Sequence, residues 1–381
     1  MANQKVQPLT SEEIRNSFLD FFKGKNHVQL PAWPLIPVGD PTTLFTTAGM
    51  QQFKPYFTGL EVPEHKRVTT IQPCFRTPDI EEVGDLSHLT AFEMMGNFSF
   101  GDYFKSEIIT WAYELLTKIY RIPNQNLHFS IFSEDEEAYD AWRSLGIEDA
   151  QIHRYGQDEN YWFSGPTGPC GPDSEIFFDF TPDKGPENTD PAKQSDRFLE
   201  IWNLVFMQNL RDENGSFSEL PKKNIDTGSG LERIAAVLQG KKSVFETDIF
   251  LPILKEASEI LGNEHMSGTT SATTDYAIRA MSEHSRAATL LTGDGVVPSN
   301  EGRGYVLRRI IRRAIYLARR EGLKEPFLPR LAKISINKLS PTYPHLNENL
   351  EFIMQAIGSC LLYTSDAADE GLGVDLGGRR I

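Results

Sequence analysis

The chain has 381 residues, 39% hydrophobic and 11% aromatic, with a formal net charge of −15. That leaves room for two or three domains with a sizeable core, and it excludes a protein that holds nucleic acid by bulk charge. Cys74, Cys170 and Cys360 are too widely spaced for a disulfide framework or a zinc pattern and read as free thiols of a reducing cytoplasm, while no apolar run reaches the roughly 18 residues of a membrane span and Met1–Leu9 lacks the apolar core of a secretory signal.

Thr10 and Glu13 have the spacing of a capping box, and Ile14, Phe18, Phe21 and Phe22 then recur at helical spacing until Gly24. Pro31, Pro34, Pro37 and Pro41 forbid regular structure up to Leu44. Residues 44–57 read equally as an edge strand or as a helix with a turn. Residues 68–76 and 88–100 read as two strands joined by an acidic loop that carries Asp79, Glu81, Glu82 and Asp85. If the strands pair antiparallel, alternation carries Arg76, His88 and Phe92 toward one face. An arginine for phosphate, a histidine and a flat aromatic are the parts that hold a nucleotide. The same pattern also suits a hairpin whose phenylalanine is core and whose arginine is surface.

Residues 104–120 form an amphipathic helix through Ile108, Trp111, Leu115 and Ile119, followed by a short strand at 127–132 and a surface helix at 134–145. Residues 161–171, with Trp162, Gly165, Pro166, Gly168, Pro169 and Gly171, read as a shaped loop lining a cleft. After a strand at 175–180, residues 198–209 are apolar on both parities, as in a central strand buried on both sides. Asn203 interrupts that pattern, and its amide needs a partner in the core or on a ligand.

The stretch 225–234 places Gly228 and Gly230 just before an apolar helical run. Glycine lets backbone come close to a ligand, and a helix N-terminus offers unpaired N–H groups. Arg233 supplies a planar fork for a phosphate or a ring, and Asp226 can hold an ammonium. Read alone, the stretch serves equally well as a Gly-rich turn with a surface Glu/Arg pair. Helices follow at 244–261 and 274–291. In 304–320, Leu307, Ile310, Ile311, Ala314 and Ala318 make an apolar stripe, and six arginines (Arg308, Arg309, Arg312, Arg313, Arg319, Arg320) crowd the rest. In an acidic chain, such a single-sign face points to nucleic-acid backbone rather than to a solvated surface of mixed charge. Helix continues to about residue 357. From about 360 the sequence turns small and polar and resembles vector- or adapter-derived sequence, outside the fold.

Together these segments resemble the N-terminal part of the bacterial-type alanyl-tRNA synthetases, a family of class II aminoacyl-tRNA synthetases. Arg76 with His88–Leu–Thr–Ala–Phe92 is similar to the second class II motif, and Gly228–Ser–Gly–Leu–Glu–Arg233 to the third. Segments 92–104, 167–172, 200–208 and 298–309 resemble stretches specific to the alanine family. The resemblance implies an α+β fold: an antiparallel sheet flanked by helices in a catalytic domain at 1–240, a helical tRNA-recognition domain at 241–358, and a non-native tail at 359–381. It implies ATP held by Arg76, His88, Phe92, Gly230 and Arg233, with Arg76 and Arg233 catalytic and Phe92 and Arg233 on the two faces of adenine. Alanine would be held by Asp226 through its ammonium, by Trp162 and Val205 around its methyl, and by Asn203 and Gly228 at the pocket's edge. Asn300, Arg303, Arg308, Arg309, Arg312 and Arg313 would face the tRNA(Ala) acceptor stem. Mg2+ is implied with the nucleotide, without assignable ligands.

The expected activity is that of an alanine–tRNA ligase, in a monomeric cytoplasmic fragment with no membrane partner. The alternatives are an acceptor-stem binding module without catalysis, or a synthetase for another small amino acid with a pocket altered near Trp162 and Val205. The sequence departs from the family in the short acidic loop 77–82, where many members carry a lysine, and at Asp173 and Ser229. It also ends before the family's editing and oligomerisation regions, so this stretch alone is expected to mischarge serine or glycine.

Overall fold

The structure, a computed structural model, describes residues 8–40, 43–186, 189–262 and 271–359. Its contacts divide the chain into two units. The first holds Met1–Pro37, Thr46–Cys74 and Phe92–Asp248, and the second Val38–Phe45, Phe75–Ala91 and Ile249–Ile381.

In the first unit, Thr10 and Glu13 close the expected capping box, and helix α1, Ser11–Gly24, buries Ile14, Phe18, Leu19 and Phe22. The strands are β1 Val28–Gln29, β2 Arg67–Phe75, β3 Ala91–Phe100, β4 Leu127–Phe132, β5 Ile152–Tyr155, β6 Tyr161–Phe163, β7 Gly168–Asp179, β8 Phe198–Arg211 and β9 Phe217–Gly230. They form one sheet in the order β1-β2-β3-β9-β8-β7-β4-β5, with β6 paired to β7. The middle of the sheet, from β3 through β9, β8 and β7 to β4, is antiparallel as expected. The outer pairs β1–β2 and β4–β5 are parallel.

The other helices here are α2 Lys54–Thr58, α3 Lys105–Glu114, α4 Glu136–Ser144, α5 Gln157–Asn160 and α6 Leu231–Leu238. The ambiguity at 44–57 resolves to helix: a tight turn over Gly49–Phe53 runs into α2, whose Pro55 sits in the first turn, where its missing N–H costs nothing.

Alternation divides the sheet's two faces. Trp202 of β8 lies on the face covered by α1, with its ring 5.7 Å from Phe18 and 6.2 Å from Phe22. The opposite face carries Met94, Phe98, Val205 and Met207, packed with Met50, Phe53 and Phe57.

One expectation and one alternative reading fail here. Residues 161–171 are a hairpin rather than a cleft loop, because Tyr161, Trp162 and Phe163 pair with Pro172, Gly171 and Cys170. Residues 225–230 are not a turn but the last residues of β9, and neither Gly228 nor Gly230 takes positive φ.

The second unit is built on helices α7 Leu251–Ile260, α8 Ala272–Gly293, α9 Gly302–Arg320, α10 Leu328–Leu339 and α11 His345–Glu348, with more helix at 350–359. The stripe read from sequence on α9 is buried: Leu307, Ile310, Ile311, Ala314 and Ala318. The loop 75–91 belongs to this unit. The tail expected to be foreign lies, from residue 360, outside the described residues.

Candidate functional site

On β9, Asp226, Gly228 and Gly230 alternate onto one face. Asp226 lies opposite Phe98 of β3 and Val205 of β8, and Val205 lies opposite Asp173 of β7. Gly228 lies opposite Asn203, and Asn203 opposite Glu175. Directly opposed residues share a face, so β3, β9, β8 and β7 bring Phe98, Asp226, Val205, Asn203, Asp173 and Glu175 together. Phe92 and Trp162, each half-buried, pack against the apolar cluster that contains Phe98 and Val205. Five of the expected ligand residues, Trp162, Asn203, Val205, Asp226 and Gly228, thus sit in the first unit, four of them on adjoining strands.

Asp226 is 5% exposed, and its carboxylate has no hydrogen-bond or ionic partner among the described residues. Burial alone pushes its pKa up to about 7. A buried carboxylate without a donor is costly, and among the described residues no cation stands beside this one. Gly228 also stands close to the core. A Cβ there would stand 2.7 Å from the Met94 sulfur, which accepts the Gly49 N–H at 3.2 Å. The glycine makes room for core packing.

Asn203 donates through Nδ2 to Asp173 Oδ2 at 2.8 Å and reaches Glu175 Oε1 at 3.4 Å. Burial pushes Asp173 up to about 7, against the bonds from Asn203 and Asn160. Burial and the nearby Glu200 charge push Glu175 well above the usual carboxylate range.

Arg233, in the first turn of α6 just after the cap residue Gly230, donates through Nη1 to the Glu200 carbonyl at 3.0 Å and to Glu200 Oε2 at 2.7 Å. One edge of the fork is anchored, while Nε and Nη2 have no partner among the described residues. Glu232, which the alternative reading makes half of a surface pair, is 1% exposed and accepts the Glu93 N–H at 3.1 Å; Glu93 in turn meets Arg15 at 2.9 Å. It braces α6 against β3. No short-range pattern marks it, because its partner lies 139 residues away.

Arg76 and His88 lie in the second unit, in loop rather than strand. The alternation argument therefore does not place them: β2 ends at Phe75 and β3 begins at Ala91. The Arg76 N–H donates to the Thr90 carbonyl at 2.8 Å. His88 Nδ1 meets Asp85 Oδ2 at 2.5 Å, and Asp85 also accepts the His88 N–H at 2.8 Å.

Asn300 and Arg312 are exposed. Arg308 bonds Asn300, Arg303 donates to the Leu44 carbonyl at 2.5 Å, and Arg309 meets Glu81 at 2.5 Å. Arg313 turns inward, to the Val83 carbonyl at 2.9 Å, the Tyr276 hydroxyl at 2.6 Å and His284 Nε2 at 2.8 Å. Among the described residues, no cluster of three or more His, Cys, Asp or Glu side chains is disposed to hold a metal, and no helix is long and apolar enough to cross a membrane.

The antiparallel sheet and its Gly–Xaa–Gly–Xaa–Glu–Arg edge are accompanied by a match to the family model of class II tRNA synthetases (A) over residues 13–359, and the chain belongs to that family. It is similar to curated alanine–tRNA ligases: 47% identical over 353 residues to that of Dehalococcoides mccartyi strain 195, and 49% over 353 residues to that of Carboxydothermus hydrogenoformans. It is 48% identical over 358 residues to the one from Prochlorococcus marinus strain MIT 9515. The matches cover 92–93% of this chain and 40% of each relative, so the chain spans well under half the length of the proteins it resembles.

Proposed function

We propose that the chain activates alanine with ATP and transfers the alanyl group to the acceptor end of tRNA(Ala). The observation that carries this reading is Asp226, a buried carboxylate with no partner among the described residues, opposite Val205, which belongs to the cluster against which Trp162 packs. An α-ammonium answers the carboxylate, and a methyl is the side chain suited to a pocket walled by valine and tryptophan. The names of the relatives point to the same amino acid.

In this reading the alanine carboxylate attacks the α-phosphorus of ATP in line. A carboxylate–phosphorus bond forms, the bond to pyrophosphate breaks, and pyrophosphate leaves with the electron pair. The nucleophile is already an anion, so alignment and neutralisation of charge supply the catalysis and no general base is needed. Asp226 fixes the amine end. The free edge of Arg233 and the ring of Phe92 hold the adenine, and Arg76 and His88 attend the phosphates. A terminal ribose hydroxyl of tRNA then attacks the alanyl carbonyl and releases AMP. Asn300 and the exposed arginines of α9, Arg312 foremost, meet the acceptor stem, with Arg303, Arg308 and Arg309 beside them. Magnesium would enter with the triphosphate and offset its charge. The setting is a monomer in the cytoplasm.

Alanine-dependent ATP–pyrophosphate exchange, run against a panel of amino acids, tests the reading. Exchange with alanine is expected. Folded protein that shows none, or that exchanges with a different amino acid, refutes it.

A further inference from the structure

Helix α8 devotes one stripe of its surface to the loop 75–91, within the second unit. Tyr276, Arg279, Glu283 and Arg286 follow at helical spacing on one face. Tyr276 reaches the Glu81 carbonyl at 3.4 Å, Arg279 Nε donates to the Gly84 carbonyl at 2.6 Å, and Arg286 Nη1 donates to the Ala91 carbonyl at 2.6 Å. Gly84, at φ +123°, is the residue that admits this approach, since a Cβ there would lie 2.3 Å from the Tyr276 ring. Glu283 is the centre of the stripe. Its Oε1 accepts the Thr90 N–H at 2.7 Å, the Thr90 hydroxyl at 2.6 Å and the Ala91 N–H at 3.0 Å. Its Oε2 meets His284 Nδ1 at 2.6 Å, and His284 Nε2 faces Arg313 Nη1 at 2.8 Å.

We propose that Glu283 is a positioning residue for Arg76: it fixes Thr90, whose carbonyl holds the Arg76 backbone N–H at 2.8 Å, and so aims the arginine that attends the phosphates of ATP. This rests on the role given to Arg76 above. Three features favour positioning over simple packing. The first is that the group is fully buried, where a hydrophobic side chain of similar volume often serves stability as well. The second is that all three donors to its Oε1 come from the two residues that end the loop. The third is that the charge is retained: burial pushes the carboxyl up, and the bonds from His284, Thr90 and Ala91 outweigh it and hold the pKa below the ordinary value. A charged acceptor makes the shorter, more directional bonds, which suits a group that sets a backbone position.

The test compares the full chain with Glu283→Gln, Arg76→Ala and the double variant in the exchange assay. Glu283→Gln should raise the KM for ATP by about tenfold or more and lower kcat, since small misplacement of a substrate-holding group costs on that order. The KM for alanine should stay put, because Asp226, Val205 and Trp162 belong to the other unit. In the Arg76→Ala background the same substitution should have no further effect. Equal shifts in both KM values, or an undiminished effect without the Arg76 side chain, would overturn the proposal. If Glu283→Gln fails to fold, Thr90→Val removes one of the three bonds to Oε1, and a smaller change confined to ATP and absent without Arg76 is expected; no change at all overturns the idea. Absence of exchange in the unaltered chain would instead count against the alanine-activating reading, which keeps the two failures distinct.

Discussion

Replacing Asp226 by asparagine should weaken alanine binding and strengthen the empty protein at the same time. The carboxyl's ordinary pKa is 3.8, and burial raises it to about 7. At 1.36 kcal/mol per pH unit, the difference corresponds to roughly 4 kcal/mol of strain at high pH. The sign follows from proton counts. Between pH 4 and 7 the folded state binds more protons than the unfolded state, so stability is fullest below about 4, falls as pH rises, and is lowest above about 7. Asparagine carries no charge, but its amide also costs about 1–3 kcal/mol to bury unpartnered. The net gain above pH 7 is then about 2 kcal/mol, or roughly 4–8 °C in Tm for a unit of this size. Against this, a buried ion pair with the substrate ammonium is lost, typically 2–5 kcal/mol, so the KM for alanine should rise by roughly 30-fold or more with the KM for ATP little changed. Thermal melts at pH 8 and pH 4 read the first effect, and pyrophosphate exchange reads the second. A lower melting temperature at pH 8, or equal loss of affinity for alanine and ATP, would refute the reasoning.

The same carboxylate predicts a pH profile. As pH falls from 8 to 6, Asp226 of the free protein takes up a proton near its raised pKa of about 7, so the KM for alanine should rise, and a flat profile would remove the carboxylate from the amine site. Gly171→Ala should destabilise the fold severely, by more than about 4 kcal/mol, because its Cβ would stand 2.0 Å from the Phe206 carbonyl oxygen, a backbone atom that cannot move aside cheaply; a chemical denaturation curve close to the parent's would show that the two strands can part there. Arg312→Ala should leave pyrophosphate exchange intact while reducing the salt dependence of tRNA binding by about one phosphate contact. An unchanged salt slope would take α9 out of the nucleic-acid interface.

Where periodicity governs, the sequence was legible. The capping box and apolar repeat of α1, the double-parity run of β8 and the stripe of α9 all appear where hydrophobic spacing puts them. β9 was not legible, for a physical reason. Its first half is largely exposed and polar, and its buried half holds Asp226, Thr227 and two glycines, residues that score as turn. A strand that lines a polar site loses the alternation by which strands are read. The buried acids were hidden too. Glu232 and Glu283 sit in the interior with backbone N–H groups 139 and 193 residues away among their donors, and spacing along the chain carries no trace of those. Arg76, His88, Phe92, Asp226 and Arg233 were picked out by their chemistry and by the resemblance, while the membership of the first two in the helical unit came only from the coordinates.

That membership changes what the loop is. The chain leaves the sheet after β2, passes through residues 75–91 among helices α8 and α9, and re-enters the sheet at β3. The loop is thus covalently part of the sheet at both ends and held by hydrogen bonds from the helices along its length. The groups assigned to the triphosphate depend on Glu283, Arg279, Arg286 and Arg313 for their position, whereas the carboxylate assigned to the amine depends on strand register alone. On the proposed reading, two substrates would be held by two structural logics: one by a ladder of paired strands around a buried carboxyl, the other by a loop whose backbone is aimed from α8. On that division, changes on α8 should be felt first by the nucleotide and changes on β8 and β9 first by the amino acid. On the same reading, the helical unit would take part in amino-acid activation, in addition to the tRNA contact proposed for its exposed arginines.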